Sequence, residues 1–296
     1  MQVEKCLTAL RDRKKSVPIK MLVNLSDLSS AEVKLFKETW KEIAVERRRE
    51  VIDELITLAR GNATLNFDRV FLACFSDSDA QVRVQAIEGL WECDDCTIIP
   101  ALLQTLMMDK EDAVSAAAAS ALGRFALLAE LRKVHSRHVA RIGETLFKII
   151  DAKGEDAELR GRAMEAIAPV NLTGVKKLIY KAYHSEDPIL RASALRAMGL
   201  NCDPAWLPIL LKELGNPDPE MCLEAVKACG ELGEEEVVPH LLRLIREADI
   251  QIKLAALTAL KQIGGGGAKQ ALYECLHYQD EQVRQVAKEA WEGVET

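Results

Sequence analysis

A thirteen-residue segment recurs along this chain at intervals of 31 positions. The segment DPILRASALRAMG begins at Asp187, and related segments begin at Asp218, Asp249 and Asp280. A fixed period of this size is the sequence signature of a stacked repeat protein, in which each unit contacts only its neighbours. Although 296 residues would suffice for two ordinary domains, we therefore predict one array of similar units.

Each repeated segment has the pattern of a helix with one narrow, small-residue face. An apolar residue is followed four and seven positions later by alanine, or once by glycine. Positions i, i+4 and i+7 lie on one face of a helix, and small side chains there allow a neighbouring helix to approach closely. The apolar residues that align the seven units are Val82, Val114, Leu159, Leu190, Met221, Ile252 and Val283.

An acidic residue lies three positions before each of these apolar residues. Aspartate at this place accepts hydrogen bonds from the free amides of a helix start, and proline can follow it, as Pro188 and Pro219 do. A second apolar segment precedes each such helix, so each unit is predicted to be a helix pair. Since an acid repeated in every unit is an architectural feature, we disfavour a catalytic or metal-binding role for this set: Asp79, Glu111, Asp156, Asp187, Asp218, Asp249 and Asp280.

The pattern D-x-x-V-R-x-x-A-x-x-A-L-G resembles the HEAT repeat, and in particular the short HEAT-like units of phycobilisome lyases. The resemblance covers about residues 63–296 and implies an all-α fold, a right-handed α-α superhelix of seven to eight helix pairs. We expect residues 1–62, which lack the pattern, to form an N-terminal helical cap. An insertion of 14 residues near 125–141 interrupts the period.

The resemblance also implies a ladder of arginine and aspartate between helix pairs, which would be weakest where Ser115, Cys222 and Lys253 replace the arginine. The residues expected in this ladder are Asp79, Arg83, Asp156, Arg160, Asp187, Arg191, Asp218, Asp280 and Arg284.

In HEAT-like arrays the second helix of each pair lines the concave side, and this places two exposed rows there. One row has charges of both signs and the other is largely apolar, a combination that suits a peptide or helix of a partner protein. The alternative, that these rows only face solvent or pack locally, stays open. The candidate partner-binding residues are Glu88, Glu165, Arg196, Lys227, Thr258, Leu223 and Leu254.

The insertion contains a basic cluster within an acidic protein. It is interpreted either as the solvated face of a longer helix or as a site for an anion or an acidic partner. Cys93 and Cys96 together with His135 and His138 have spacings compatible with zinc, but the pairs are far apart in sequence, and we expect no metal and no cofactor. The basic residues of the cluster are Arg132, Lys133, Arg137 and Arg141.

Charge and composition limit the remaining function classes. The net charge is −7, although residues 1–62 hold 13 lysines and arginines against 10 acidic residues. An acidic array argues against nucleic-acid binding, which needs clustered cations. The sequence contains no long apolar run and no signal-peptide pattern, so we expect a cytoplasmic protein with reduced cysteines and no membrane contact.

The leading hypothesis is a non-enzymatic, monomeric scaffold or adaptor that binds another protein on its concave face. The alternatives are a bilin lyase-like or chaperone-like HEAT protein and, further, a HEAT-like nucleic-acid-binding protein. The sequence predicts no catalytic residue.

Overall fold

Regular structure in the computed structural model consists only of helices. The model describes residues 2–12, 19–130, 136–152 and 156–295, and within these ranges there are no strands. No helix in these ranges is both long enough and apolar enough to cross a membrane. The α-helices are α1 (Gln2–Leu10), α2 (Ile19–Leu22), α3 (Ser30–Trp40), α4 (Val45–Gly61), α5 (Asp68–Cys74), α6 (Ala80–Glu88), α7 (Ile99–Met108), α8 (Asp112–Glu130), α9 (Ser136–Asp151), α10 (Ala157–Ile167), α11 (Val175–Tyr183), α12 (Pro188–Asn201), α13 (Leu207–Glu213), α14 (Pro219–Leu232), α15 (Val238–Glu247), α16 (Ile250–Ile263), α17 (Gly265–Cys275) and α18 (Glu281–Glu295). Short 3-10 helices span Val23–Leu25, Cys96–Ile98, Pro204–Trp206 and Glu235–Val237.

The helices form two compact units, which divide between Ile142 and Gly143. In the first unit α4 packs on α6 and α6 on α8, while α5 and α7 pack on the second helix of their own pairs. In the second unit α10, α12, α14, α16 and α18 pack on one another in order, and α11, α13, α15 and α17 each pack on the helix that follows. This arrangement confirms the predicted all-α solenoid of helix pairs.

Aspartate begins most of the second helices, as the repeat pattern predicts. One carboxylate oxygen of Asp187 accepts hydrogen bonds from the amides of Ile189, at 2.9 Å, and Leu190, at 3.3 Å. The side chain satisfies amides that have no partner within the helix. Glu111 differs, because its carboxylate caps no described amide, although its backbone carbonyl accepts the first helical hydrogen bond as those of the aspartates do. The aspartates that cap in this way are Asp79, Asp156, Asp187, Asp218, Asp249 and Asp280.

The small faces bring second helices into close contact. A Cβ atom added to Gly199 on α12 would lie 2.7 Å from the Cα of Ala228 on α14. The same contact recurs 31 residues later, where a Cβ on Gly230 would lie 2.9 Å from the Cα of Ala259. All seven apolar residues that align the units are buried. The core of each unit therefore consists mainly of aliphatic side chains between closely stacked helices.

The run Gly264–Gly267, which reads in sequence as a flexible turn of four residues, is mostly helical. Gly264 has φ 65° and separates α16 from α17, and Gly265 also has a positive φ. Gly266 and Gly267 lie in the first turn of α17. Positive φ costs glycine little, so the two residues that turn the chain are those that need to be glycine.

Candidate protein-binding face

The second helices of the second unit carry the predicted rows side by side. Glu165 lies on α10, Arg196 on α12, Lys227 on α14 and Thr258 on α16, and successive residues are 31 positions apart. Since these helices pack on one another in order, equivalent positions form a line across them. We call the surface that these residues form on α10, α12, α14 and α16 the second-helix face.

Ion pairs join the charged residues of this face across helix boundaries. Arg196 Nε lies 2.8 Å from Glu165 Oε1, and Arg196 Nη1 lies 3.7 Å from Glu224 Oε2. Glu224 Oε1 in turn lies 2.8 Å from Lys227 Nζ. At the other end, Arg162 pairs with Glu165 at 3.1 Å. Burial lowers the pKa of Arg162, but Glu165 and Glu158 outweigh this and the net shift is upward.

This network changes the role of two predicted binding residues. Glu165 and Arg196 are half-buried, and their charges are directed at each other instead of solvent. Glu224 was absent from the predicted set, yet it is buried and connects Arg196 to Lys227. Ser193, 31 positions earlier, is also polar and also buried. Ser193 accepts a hydrogen bond from Arg196 Nη2 at 3.1 Å.

The network ends at Lys227 in a part of the face whose side chains are more accessible. Lys227 and Thr258 are exposed, while Leu223 and Leu254 are half-buried one helical turn before them. Leu223 and Lys227 belong to α14, and Leu254 and Thr258 occupy the equivalent places on α16. These four residues, which we call the α14–α16 patch, form an apolar pair next to a polar pair.

The other predicted binding residues lie elsewhere. Glu88 is exposed at the end of α6 in the first unit. Arg132 and Lys133 fall outside the described residues, and the side chain of Arg137 is likewise not described. Arg141 is exposed near the middle of α9. The basic cluster therefore remains a prediction from sequence.

Arginine and aspartate do form a ladder in the first unit, but with partners that the sequence pattern did not indicate. Arg83 makes two hydrogen bonds to Asp109, at 2.8 and 2.7 Å, and a third to the backbone carbonyl of Asp77. One helix pair earlier, Arg48 lies 3.2 Å from Asp77. Arg48 and Arg83 both occupy the fourth position after the N-cap of their helices. Their partners, Asp77 and Asp109, lie two residues before the next capping position.

The capping aspartates are not the partners of these arginines. Asp79 pairs instead with Arg49, at 2.9 and 2.6 Å. In the sequence, the partners of Arg48 and Arg83 are recognised as an aspartate two positions before the N-terminal residue of the next repeat pattern, as in the segments DSD and DKE. Its physical basis is that Asp77 and Asp109 also accept a hydrogen bond from the backbone amide of the capping residue, at 2.8 and 3.1 Å.

The ladder is incomplete in the second unit, where only Glu247, two positions before Asp249, keeps the acid, and Cys222 takes the place of its arginine. The place of Asp77 and Asp109 is taken there by Ser185, Asn216 and Tyr278 before Asp187, Asp218 and Asp280. Arg160 donates to the backbone carbonyl of Ile150, and Arg284 donates to those of Tyr278 and Gln279. Arg191 has no side-chain partner among the described residues. In the second unit, the arginines of the repeat pattern therefore donate to backbone carbonyls, as Arg160 and Arg284 do, or have no side-chain partner among the described residues, as for Arg191.

The cysteines show no metal centre in the described part of the chain. All eight are free thiols. Burial raises the pKa of Cys93 to about 12, so its thiol is protonated at neutral pH. Among the described residues no group of three histidines, cysteines or acids is placed to bind a metal ion. His135 and the side chain of His138 lie outside these residues.

Comparison with known proteins identifies the repeat. A family model described as HEAT repeats matches residues 69–134 and 207–292, just over half of the chain. No curated protein matches the chain in sequence.

Solved structures show the same fold at low sequence identity. A chain of the CpcE and CpcF complex of phycocyanin lyase from Nostoc sp. PCC7120 has a TM-score of 0.56 at 14% identity, covering 96% of this chain and 97% of that chain. A chain from the structure in which Kap95p binding induces the switch loops of RanGDP to adopt the GTP-bound conformation has a TM-score of 0.51 at 12% identity, covering 98% of this chain and 45% of that chain. At such identities the likeness concerns the fold alone.

Proposed function

The chain belongs to the HEAT-repeat family, and on this basis we propose that it is a non-enzymatic scaffold or adaptor that binds a partner protein. Stacked repeats of this kind present extended surfaces that recur as protein-binding sites. We further propose that the partner binds on the second-helix face, at the α14–α16 patch. The observation that carries this proposal is the ion-pair network that fixes the side chains beside the patch.

The network supports binding in two ways. It holds Glu165, Arg196 and Glu224 in defined positions before any partner arrives, so less side-chain freedom is lost on binding. It also leaves the nearby apolar pair, Leu223 and Leu254, next to exposed polar groups. An apolar centre with a polar rim is the usual composition of a protein interface.

The same charges disfavour the nucleic-acid alternative. The cations Arg162 and Arg196 are paired with carboxylates of the protein, so they are not available to phosphates. Binding to nucleic acid needs several free cations on one surface. A partner with its own apolar side chains and one or two charges fits the face better.

A lyase-like role is the second candidate, since the phycocyanin lyase complex has the same fold over nearly the whole chain. The residues that carry the repeat pattern are structural, and fold likeness does not imply shared activity. Visible absorbance in the protein purified from its source cells would favour this candidate. Absence of absorbance after incubation with free bilin would count against it.

The protein-binding proposal is tested with two matched substitutions. Thr258 is exposed in the patch, and Thr57 is exposed on α4, and each hydroxyl donates only to the carbonyl four residues earlier. Arginine is a better helix former than threonine, so neither Thr258→Arg nor Thr57→Arg should unfold the protein. Both variants and the wild type are used as baits in source-cell lysate, and captured proteins are identified by mass spectrometry.

We expect one captured protein to be lost with Thr258→Arg and retained with Thr57→Arg. A long cation in the patch blocks contact with an apolar surface, whereas the same cation on α4 does not. Equal capture by the two variants would show that the patch is not the binding surface.

A further inference from the structure

A cavity of about 380 Å³ in the first unit lies between the end of α3, the loop before α6 and the start of α4. Three cations line it: Lys37, Lys41 and Arg48. Two hydroxyl side chains, Ser76 and Ser78, line it from the opposite element. Its volume lies in the range of pockets that hold small ligands. We call this cavity the Arg48 pocket.

Arg48 is fixed in position but keeps one free donor. Its Nη1 lies 3.2 Å from Asp77 Oδ2, and its Nη2 donates to Ser78 Oγ at 3.2 Å. Its side chain is only 6% exposed, and its Nε has no hydrogen-bond partner in the described part of the structure. A buried donor without a partner is rare in folded proteins.

The single acid of the pocket is already satisfied. Trp40 Nε1 donates to Asp77 Oδ2 at 2.7 Å, and the backbone amide of Asp79 donates to Asp77 Oδ1 at 2.8 Å. Asp77 is fully buried and also pairs with Arg48. It therefore orients the guanidinium and neutralises one positive charge, while two positive charges remain.

Those two charges come from Lys37 and Lys41, which are exposed and form no ion pair with any described residue. Lysines at the end of α3 also complement the helix dipole. That role does not explain the free Nε of Arg48 or the hydroxyls on the facing loop. In a chain of net charge −7, a pocket with an excess of two positive charges is a local exception.

We propose that the Arg48 pocket binds a phosphate monoester. A phosphate monoester carries a charge between about −1.5 and −2 at pH 7, which matches the excess of the pocket. Its three terminal oxygens accept hydrogen bonds, and the pocket offers two ammonium groups and two hydroxyls as donors beside the charged guanidinium of Arg48. The phosphate can come from a phosphorylated side chain of a protein or from a free metabolite, and the site recognises the chemistry that both share. The site is separate from the α14–α16 patch, so the phosphate proposal and the protein-binding proposal can be rejected independently of each other.

Calorimetric titration of the full chain tests this proposal with five probes. They are inorganic phosphate, inorganic sulfate, O-phosphoserine, and a short peptide with one phosphoserine alongside its unphosphorylated form. The variant Lys37→Gln/Lys41→Gln removes the excess charge without touching a buried group. Lys34→Gln is the matched control, since Lys34 is exposed on the same helix but does not line the cavity.

We expect phosphate and O-phosphoserine to bind the wild type and Lys34→Gln equally, with affinity reduced about tenfold or more in Lys37→Gln/Lys41→Gln because charge-assisted hydrogen bonds are lost. Tighter binding of the phosphopeptide than of O-phosphoserine identifies a phosphorylated protein as the source, and equal binding identifies a small phosphate. The absence of binding, binding unaffected by the double substitution, or equal binding of sulfate would overturn the proposal.

Discussion

At the scale of single residues, glycine sets how closely the second helices approach. Gly199 faces the backbone of Ala228, and the alanines of the small face, such as Ala194 and Ala197, are fully buried. Any atom added at Gly199 must move a helix, because the nearest atom belongs to a backbone that cannot turn aside. The cost of an added methyl group is therefore larger here than at most buried sites.

We predict that Gly199→Ala lowers the free energy of unfolding by about 1–3 kcal/mol, because it overpacks the contact between α12 and α14. Gly266→Ala is the matched control: a Cβ at Gly266 meets nothing within 4 Å, and alanine is the better helix former. That control should be neutral or stabilising by roughly 0.5–1 kcal/mol. Urea unfolding measures both. Equal effects of the two substitutions would contradict the close contact.

The pair of Arg83 and Asp109 predicts how stability depends on pH. Burial acts to raise the pKa of Asp109, but the hydrogen bonds from Arg83 and from the amides of Glu111 and Lys110 outweigh it, so the pKa is lowered. A carboxyl group whose pKa is lower in the folded than in the unfolded chain stabilises the fold above the unfolded value. This contribution is lost as the pH falls through the folded value.

Asp109→Asn should therefore cost about 1–3 kcal/mol at neutral pH, where it leaves Arg83 without its charged partner. The difference from the wild type should shrink below about pH 4, the range in which an unperturbed aspartate becomes protonated. Unfolding by urea at a series of pH values measures this difference. If the difference stayed constant down to pH 3, the ion pair would not be the source of the stability.

At the scale of helix pairs, the sequence predicts the positions of the arginines better than it predicts their partners. The fourth position after the N-cap is set by helix geometry, and it is visible in the repeat pattern. The partner lies on the loop before the next second helix, and its side chain changes from Asp77 and Asp109 to Ser185 and Asn216. The side chain at this position also accepts a hydrogen bond from the backbone amide two residues later. Serine and asparagine can make that hydrogen bond as aspartate does, but they cannot form the ion pair with arginine.

We predict that aspartate has opposite effects on stability at two equivalent loop positions, Ser185 and Asn216. Ser185 and Arg160 line one cavity, and Ser185 Oγ accepts a hydrogen bond from the amide of Asp187. Ser185→Asp keeps an acceptor for that amide and adds a charge within reach of Arg160, so we expect stabilisation of roughly 0.2–1 kcal/mol. Asn216→Asp should instead destabilise, because Asn216 Nδ2 donates to the buried Glu213, and an aspartate would face that carboxylate. Thermal unfolding of both variants distinguishes the two cases, and a stabilised Asn216→Asp would contradict the assigned contacts.

At the scale of the whole chain, the period predicts the array, and departures from the pattern limit how far it can be traced. The helix pair of α3 and α4 has no aspartate cap, since Ala44 is the N-cap of α4, and Arg47 takes the place of the apolar residue three positions later. Nevertheless α4 packs on α6, and Arg48 pairs with Asp77 as Arg83 pairs with Asp109. The stacking contacts decide which helices are equivalent, and those contacts are not visible in a sequence pattern.

The predicted binding rows have a similar limit. Periodicity placed Glu165, Arg196 and Lys227 in one line, which is a property of helix register. Whether such charges face solvent or each other depends on the length of each side chain and on its neighbour one helix away. The buried Glu224, which joins two of them, follows only from the structure.

If each helix pair interacts mainly with its neighbours, damage to one interface should stay local. Gly230 faces the backbone of Ala259 and the side chain of Gln262, so Gly230→Ala strains the contact between α14 and α16. We predict that amide hydrogen exchange quickens in α14 and α16 in this variant, while α10, which contacts neither of these helices extensively, keeps its protection. Hydrogen exchange followed by mass spectrometry resolves the three helices. A uniform loss of protection from α10 to α18 would show instead that the second unit opens as one cooperative body, and that its stability is not a sum of neighbouring contacts.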